Sequence, residues 1–213
     1  MSIDIAEEGR ASLVAALKDL GSRLGQADAV WLLGGSCSLW LQGVPLERPP
    51  RDIDVYYDKA EAKKLHDRLT GLALDEPVWD ESGRYSSLLS HYRMGELTME
   101  LVGGFEIRNG RSMYRTEVSG VLAGYAEQIM LEDVPIRLMP LAHELLFNVL
   151  RERSDRYRAV AEAIRKSPER QMGLLKLLLA RNEWEAETVM AVADLLEAPE
   201  VYEEWLLKAR QEL

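Results

Sequence analysis

Apolar positions near the start of the chain recur at helical spacing. Leu13, Leu17, Leu20 and Leu24 share one side of the segment Ile5 to Leu24, with charged residues between them, which predicts an amphipathic helix. Ala29 to Leu33 is a short continuous apolar run, the pattern of a buried strand, and Gly34-Gly35 breaks it. Ser36 then stands where it can cap a short helix through about Gln42, closed by Gly43 and Pro45. After a polar, proline-containing loop, Asp52 to Tyr57 alternates, with Asp52, Asp54 and Tyr56 on one face and Ile53, Val55 and Tyr57 on the other. Asp58 with Glu61 fits a capping box and opens a helix through Leu69, ended by Thr70-Gly71.

The pattern turns loop-like from Asp75 to Gly83. Ser87 to Met94 and Leu97 to Val102 then read as strands joined across Gly95-Glu96, with Thr98, Glu100 and Val102 sharing a face. Gly103-Gly104 interrupts, and Asn109-Gly110 signals a hairpin between Phe105–Arg108 and Arg111–Tyr114. A further strand pair, Glu127–Leu131 and Pro135–Leu138, turns at Glu132-Asp133. From Pro140 the periodicity is helical throughout. Leu141, Leu145 and Val149 mark a helix running to about Tyr157, followed by Arg158–Lys166, Glu169–Ala180, Trp184–Leu196 and Pro199–Glu212, with Asn182 and Pro199 at helix starts. The expected fold class is therefore α/β (α+β): a mixed sheet flanked by helices over residues 1–139, then a helical C-terminal domain over residues 140–213.

Composition narrows the function classes. A formal net charge of −10 over 213 residues argues against a general nucleic-acid binder, which needs a basic surface to displace counterions. The single cysteine, Cys37, allows no internal disulfide and fits a reducing compartment. The N-terminus lacks the basic start and apolar stretch of a signal peptide, and no apolar run approaches the ~20 residues of a membrane span. A cytoplasmic location with no membrane partner is the expectation.

Two features carry chemistry. A glycine-rich turn before a helix, Gly34-Gly35-Ser36, offers backbone N–H groups to a phosphate without a Cβ in the way. Asp52 and Asp54, on one face of a strand, can hold divalent metal ions beside it. Each alone has an ordinary reading, a common turn or a solvated strand face; their order and conjunction give them weight. His66, His91 and His143 have no zinc-ligand spacing and read as surface or packing residues. Cys37, Trp184 and Trp205 read as packing residues. Arg151, Arg153, Arg156 and Arg158 form a basic cluster, read either as a solvated helix face or as a phosphate or RNA contact.

Leu33-Gly34-Gly35-Ser36 followed by Asp52-Ile53-Asp54-Val55 resembles the nucleotidyltransferase superfamily related to DNA polymerase β. The layout is similar to its small bacterial members, the aminoglycoside- and lincosamide-type nucleotidyltransferases and the abortive-infection-type toxins. The motifs span roughly residues 29–102, and the layout alone extends to about 157. The resemblance implies a Mg²⁺- (or Mn²⁺-) dependent transfer of an NMP from an NTP such as ATP to an acceptor hydroxyl, with pyrophosphate released. It makes Asp52 and Asp54 metal ligands, Glu100 the third carboxylate as ligand or base, and Gly34, Gly35 and Ser36 nucleotide-binding. Glu100 also reads as an exposed residue of an edge strand, with Glu96 and Glu106 as fallbacks.

Three departures stand out: a longer loop from Gly35 to Asp52, Glu in place of the more usual third Asp, and Asn148 where many members carry a triphosphate-contacting lysine. Arg151 or Arg153, a turn further on, is the expected substitute. The acceptor is a small molecule, a protein or a tRNA. The alternative readings are a non-catalytic protein of the same fold acting as a binding or toxin–antitoxin partner, and an NTP-binding regulatory module.

Overall fold

A computed structural model describes residues 7–210. In chain order the elements are α1 (Glu7–Leu24), β1 (Trp31–Gly34), α2 (Gly35–Leu41), β2 (Asp52–Tyr57), α3 (Ala62–Leu69), β3 (Val78–Ser82), β4 (Tyr85–Met94), β5 (Leu97–Asn109), β6 (Ser112–Arg115), β7 (Glu127–Leu131), β8 (Val134–Leu138), α4 (Leu141–Leu150), α5 (Ser154–Lys166), α6 (Met172–Arg181), α7 (Ala186–Leu196) and α8 (Pro199–Ala209). The expected helix start at Ile5 and end at Glu212 lie outside the described residues. The chain divides into two compact units, one reaching Phe105 and resuming over Thr116–Met139, the other formed by Glu106–Arg115 and the chain from Pro140 onward.

The first unit is a mixed sheet in the order β3-β4-β5-β2-β1-β8-β7. β1 runs antiparallel to β2, and β2 runs parallel to β5. Alternation decides which face is buried. Ile53, Val55 and Tyr57 of β2, with Met99 and Leu101 of β5, join a core closed by Leu13, Leu17, Leu20 and Leu24 of α1 and Leu65 and Leu69 of α3. Asp52, Asp54, Thr98 and Glu100 are thereby left on the opposite face.

Several local expectations give way to tertiary contacts. The loop-like stretch after Asp75 contains β3, an edge strand paired with β4 from Val78↔Leu89 to Ser82↔Tyr85. Its side chains are largely exposed on both faces, so no alternation marks it. Gly103-Gly104 does not interrupt: β5 is continuous through both. A Cβ on Gly103 would lie 2.5 Å from the ring of the buried Tyr57, its register partner on β2, so this glycine makes room for a core tyrosine. The hairpin loop is Gly110-Arg111, one residue later than expected, because Asn109 pairs with Ser112.

Asp58 does not cap a helix with its side chain. Its carboxylate instead accepts the backbone N–H groups of Val118 and Ser119, each at 2.8 Å, and the Ser119 hydroxyl. The capping-box expectation fails because a distant loop claims the acceptor.

In the second unit, the helix expected to run to Tyr157 stops at Leu150. Glu152 adopts a positive φ of 60°, and α5 starts afresh at Ser154. Helix α7 begins at Ala186 rather than Trp184, since Asn182 ends α6 and uses its side chain to accept the Arg115 N–H. The β5–β6 hairpin is fastened to these helices by Tyr114, whose hydroxyl meets His143 Nδ1 at 2.7 Å and whose ring stacks on Trp184. His143 and Trp184 are buried, as expected of packing residues, and burial lowers the His143 pKa to about 3. Trp205 is only half-buried and stacks on Tyr202.

Replacing Asp58 by alanine strands two backbone N–H groups, one of them partly buried. The expected loss is about 2 kcal/mol, or roughly 6 °C in Tm, measured by thermal unfolding.

Candidate active site

The site lies within the first unit and is built from the β1–α2 turn outward. β1 ends at Gly34, which pairs in register with Asp54 on β2. The next residue, Gly35, has φ +59°, a conformation that L side chains rarely adopt. A Cβ there would also lie 1.9 Å from Asp54 Oδ2. The Asp54 carboxylate therefore rests against a bare Cα at the start of α2. Both the backbone angle and the contact demand glycine.

Helix α2 begins at Gly35 with Gly34 at its N-cap, so Ser36 lies inside the first turn rather than capping it. The Ser36 hydroxyl turns instead toward Asp52 Oδ1, 3.5 Å away. Cys37 is fully buried, and its thiol approaches the Asp52 carbonyl oxygen at 3.1 Å. Burial, then the charges of Asp54 and Asp52, push the Cys37 pKa well above the ordinary thiol range. At the other end of α2, Gln42 donates to the Ser38 hydroxyl at 3.0 Å and to the Met139 carbonyl at 3.1 Å. The helix is thus fixed to β2 and to the end of β8.

The parallel pairing of β2 with β5 sets Asp52 beside Thr98 and Asp54 beside Glu100. Asp52, Asp54 and Glu100 therefore share one sheet face, with Gly34 at the end of β1 and Gly35 and Ser36 at the start of α2 beside the two aspartates. Arg151 belongs to the second unit, where it ends α4 and places its guanidinium 4.6 Å from the centre of the Phe147 ring. Arg153 is engaged by Asp155 through two contacts of 3.0 and 2.8 Å. Asn148 is buried and donates to the Glu144 carbonyl of its own helix at 2.7 Å. Of the fallback acids, Glu96 is exposed in the β4–β5 turn and Glu106 is taken up in the second unit. Burial raises the Glu106 pKa, but hydrogen bonds from Arg115 and Arg108 outweigh it and hold the carboxyl below its ordinary value.

Sequence reasoning passed over two residues here. His91 on β4 directs Nε2 toward Glu100 Oε1 at 3.8 Å, and its Nδ1 meets Asp75 Oδ2 at 2.6 Å. The signal was present: counting back from the Gly95-Glu96 turn sets His91 opposite Glu100.

The donors on this face are carboxylate and hydroxyl oxygens, a set suited to a hard cation such as Mg²⁺. Among the described residues no three His, Cys, Asp or Glu side chains converge into a ready-made metal cage. Magnesium at a nucleotide site takes only one or two carboxylates and draws its remaining ligands from phosphate and water, so the donor set fits that ion.

No protein-family profile matches the chain, and no curated protein sequence does. Solved structures do. A candidate nucleotidyltransferase from Thermotoga maritima is 20% identical, with a TM-score of 0.56 over 74% of this chain and 92% of that one. The antibiotic-resistance factor ANT(2'')-Ia is 10% identical, with a TM-score of 0.51 over 80% of this chain and 93% of its own. The chain has the nucleotidyltransferase fold.

Two outcomes are expected. Gly35→Ala forces Asp54 off the turn and strains φ, lowering Tm by several degrees in thermal unfolding. Because its thiolate is scarce and its sulfur buried, Cys37 resists iodoacetamide at pH 8 in the folded protein and reacts readily once urea unfolds it, as mass spectrometry will read.

Proposed function

We propose that this protein is a Mg²⁺-dependent nucleotidyltransferase that moves an NMP from an NTP to an acceptor hydroxyl and releases pyrophosphate. The observation that carries the reading is the alignment of Asp54 with Glu100 beside Asp52, above a glycine turn with no Cβ to obstruct it. The fold likeness agrees with it.

In this reading Asp52 and Asp54 would hold Mg²⁺, with Glu100 as third ligand or base, and the ion would supply positive charge to offset that of the triphosphate. Gly34 and Gly35 let the triphosphate approach the backbone, and Ser36 adds its hydroxyl. The acceptor oxygen attacks the α-phosphorus as the bond to the β-phosphate oxygen breaks in line. Glu100 takes the acceptor's proton, and pyrophosphate leaves with the bonding pair. Catalysis is assigned to the first unit. The likeness to an antibiotic-resistance factor favours a small-molecule acceptor over a protein or a tRNA, and the net charge of −10 points away from the tRNA. ATP is the first nucleotide to test.

One observation favours a second reading, a non-catalytic binding protein of the same fold. Asn148, standing where a triphosphate lysine is common in the resembling family, is buried against its own helix.

Incubation with α-³²P-ATP, Mg²⁺ and cell extract discriminates the two. Wild-type protein is expected to transfer label, and Asp52→Asn/Asp54→Asn to lose it by about 100-fold or more. Equal label transfer by the variant, or none by either protein, overturns the enzymatic reading.

A further inference from the structure

Helical spacing gathers a second set of side chains, all within the second unit. Val201, Trp205 and Ala209 follow one another at successive turns along α8, and Leu179 and Ala180 stand together near the end of α6. With Trp184 they line a cavity of about 160 Å³. The two alanines fill little of this space, while the two indoles give it broad, flat walls. Each indole is also backed by a tyrosine: Trp184 stacks on Tyr114 and Trp205 on Tyr202. Aromatic walls held in this way cost little to order around a guest.

An account of the polar groups around the cavity narrows the guest. Asn182 is fully committed, since its Oδ1 accepts the Arg115 N–H at 2.9 Å and its Nδ2 donates to the Leu178 carbonyl at 3.0 Å. Trp184 is not. Its ring is buried and its Nε1–H has no acceptor, an uncommon state for a donor inside a native protein. At the rim Lys176 of α6 meets Glu204 of α8 at 2.7 Å, so those two charges offset one another. Lys208, one turn beyond Glu204, is exposed and forms no ion pair with another described residue. The uncompensated charge at the rim is therefore positive. Volume sets the size: roughly 150 Å³ encloses one benzene molecule, so the cavity takes a single ring and is far too small for a nucleotide.

We propose that this cavity is a binding site for a single-ring aromatic carboxylate, with the ring against Trp184 and Trp205 and the anionic group toward the Lys208 rim. The indole walls select a flat apolar body. Lys208 selects an anion, and a carboxylate oxygen is an acceptor of the kind that the Trp184 N–H lacks. Every residue of the site belongs to the second unit, so the proposal does not depend on the nucleotidyltransferase reading.

The test is titration of the full ¹⁵N-labelled chain with sodium benzoate, read through the indole N–H signals of its tryptophans and assigned with single Trp→Phe variants. The Trp184 and Trp205 signals are expected to shift saturably, with a Kd below about 1 mM, while those of Trp31, Trp40 and Trp79 stay in place. Benzamide, a neutral molecule of the same shape, is expected to bind about three- to fivefold more weakly, and Lys208→Met to erase that preference. Ala209→Phe, which fills the cavity, is expected to weaken benzoate about tenfold or more. Benzoate that leaves both indoles unmoved, or shifts all the tryptophans alike, overturns the proposal. So does unchanged binding by a folded Ala209→Phe protein, which would place the ligand elsewhere. Benzamide binding as tightly as benzoate, or a preference that survives Lys208→Met, overturns the carboxylate assignment. Thermal unfolding of each variant separates these outcomes from loss of fold, and Lys208, being exposed, is replaced without disturbing the core.

Discussion

The contact between the Asp54 carboxylate and the bare Cα of Gly35 is the constraint around which the first unit is arranged. It requires glycine at a positive φ, so the chain must turn there as it leaves β1. It requires β2 beside β1 in the register that pairs Gly34 with Asp54. It requires α2 to be held still, which Cys37 on the Asp52 carbonyl and Gln42 on the Met139 carbonyl accomplish. Burial of Ile53, Val55 and Tyr57 on the far face supplies the stability that keeps β2 in place. Alignment of two carboxylates on neighbouring strands, Asp54 and Glu100, is unfavourable for a sheet by itself. Such a local conflict, held by an otherwise consistent fold, supports the proposal of a cation and phosphate site on this face.

Much of this was legible in the residues, for a physical reason. Strand alternation is set by burial, and Ile53, Val55, Met99 and Leu101 are buried while Asp52, Asp54 and Glu100 alternate with them, so the placement of the three acids followed from counting. The β7–β8 turn at Glu132-Asp133 was equally plain, since Leu131 pairs with Val134. What escaped was decided by partners distant in sequence. β3 carries no alternation because it is an exposed edge. Gly103-Gly104 looked like a break, yet Gly103 marks the close approach of Tyr57. Asp58 looked like a cap until the loop at Val118 and Ser119 claimed it. His91 and Asp75 were invisible as a pair because a lone histidine has no periodicity, and only the register of β4 against β5 gives it meaning.

The second unit shows the same division between pattern and partner. Its apolar stripes predicted helices, but the end of α4 is set by the positive φ of Glu152. The arginine cluster is less available than its charge suggests: Asp155 takes Arg153 at 2.8 Å and lies 3.7 Å from Arg156. Asn148 turns inward to its own helix. The chemistry proposed for this chain therefore rests on the acidic face of the first unit.

The most direct test of that claim is a crystal structure of the protein grown with Mn²⁺ and α,β-methylene-ATP, with anomalous diffraction used to locate the metal. The account predicts a Mn²⁺ peak within coordination distance of Asp52 and Asp54 oxygens, with the triphosphate lying along Gly34-Gly35-Ser36. A nucleotide bound elsewhere, or a metal peak remote from both aspartates, would contradict it.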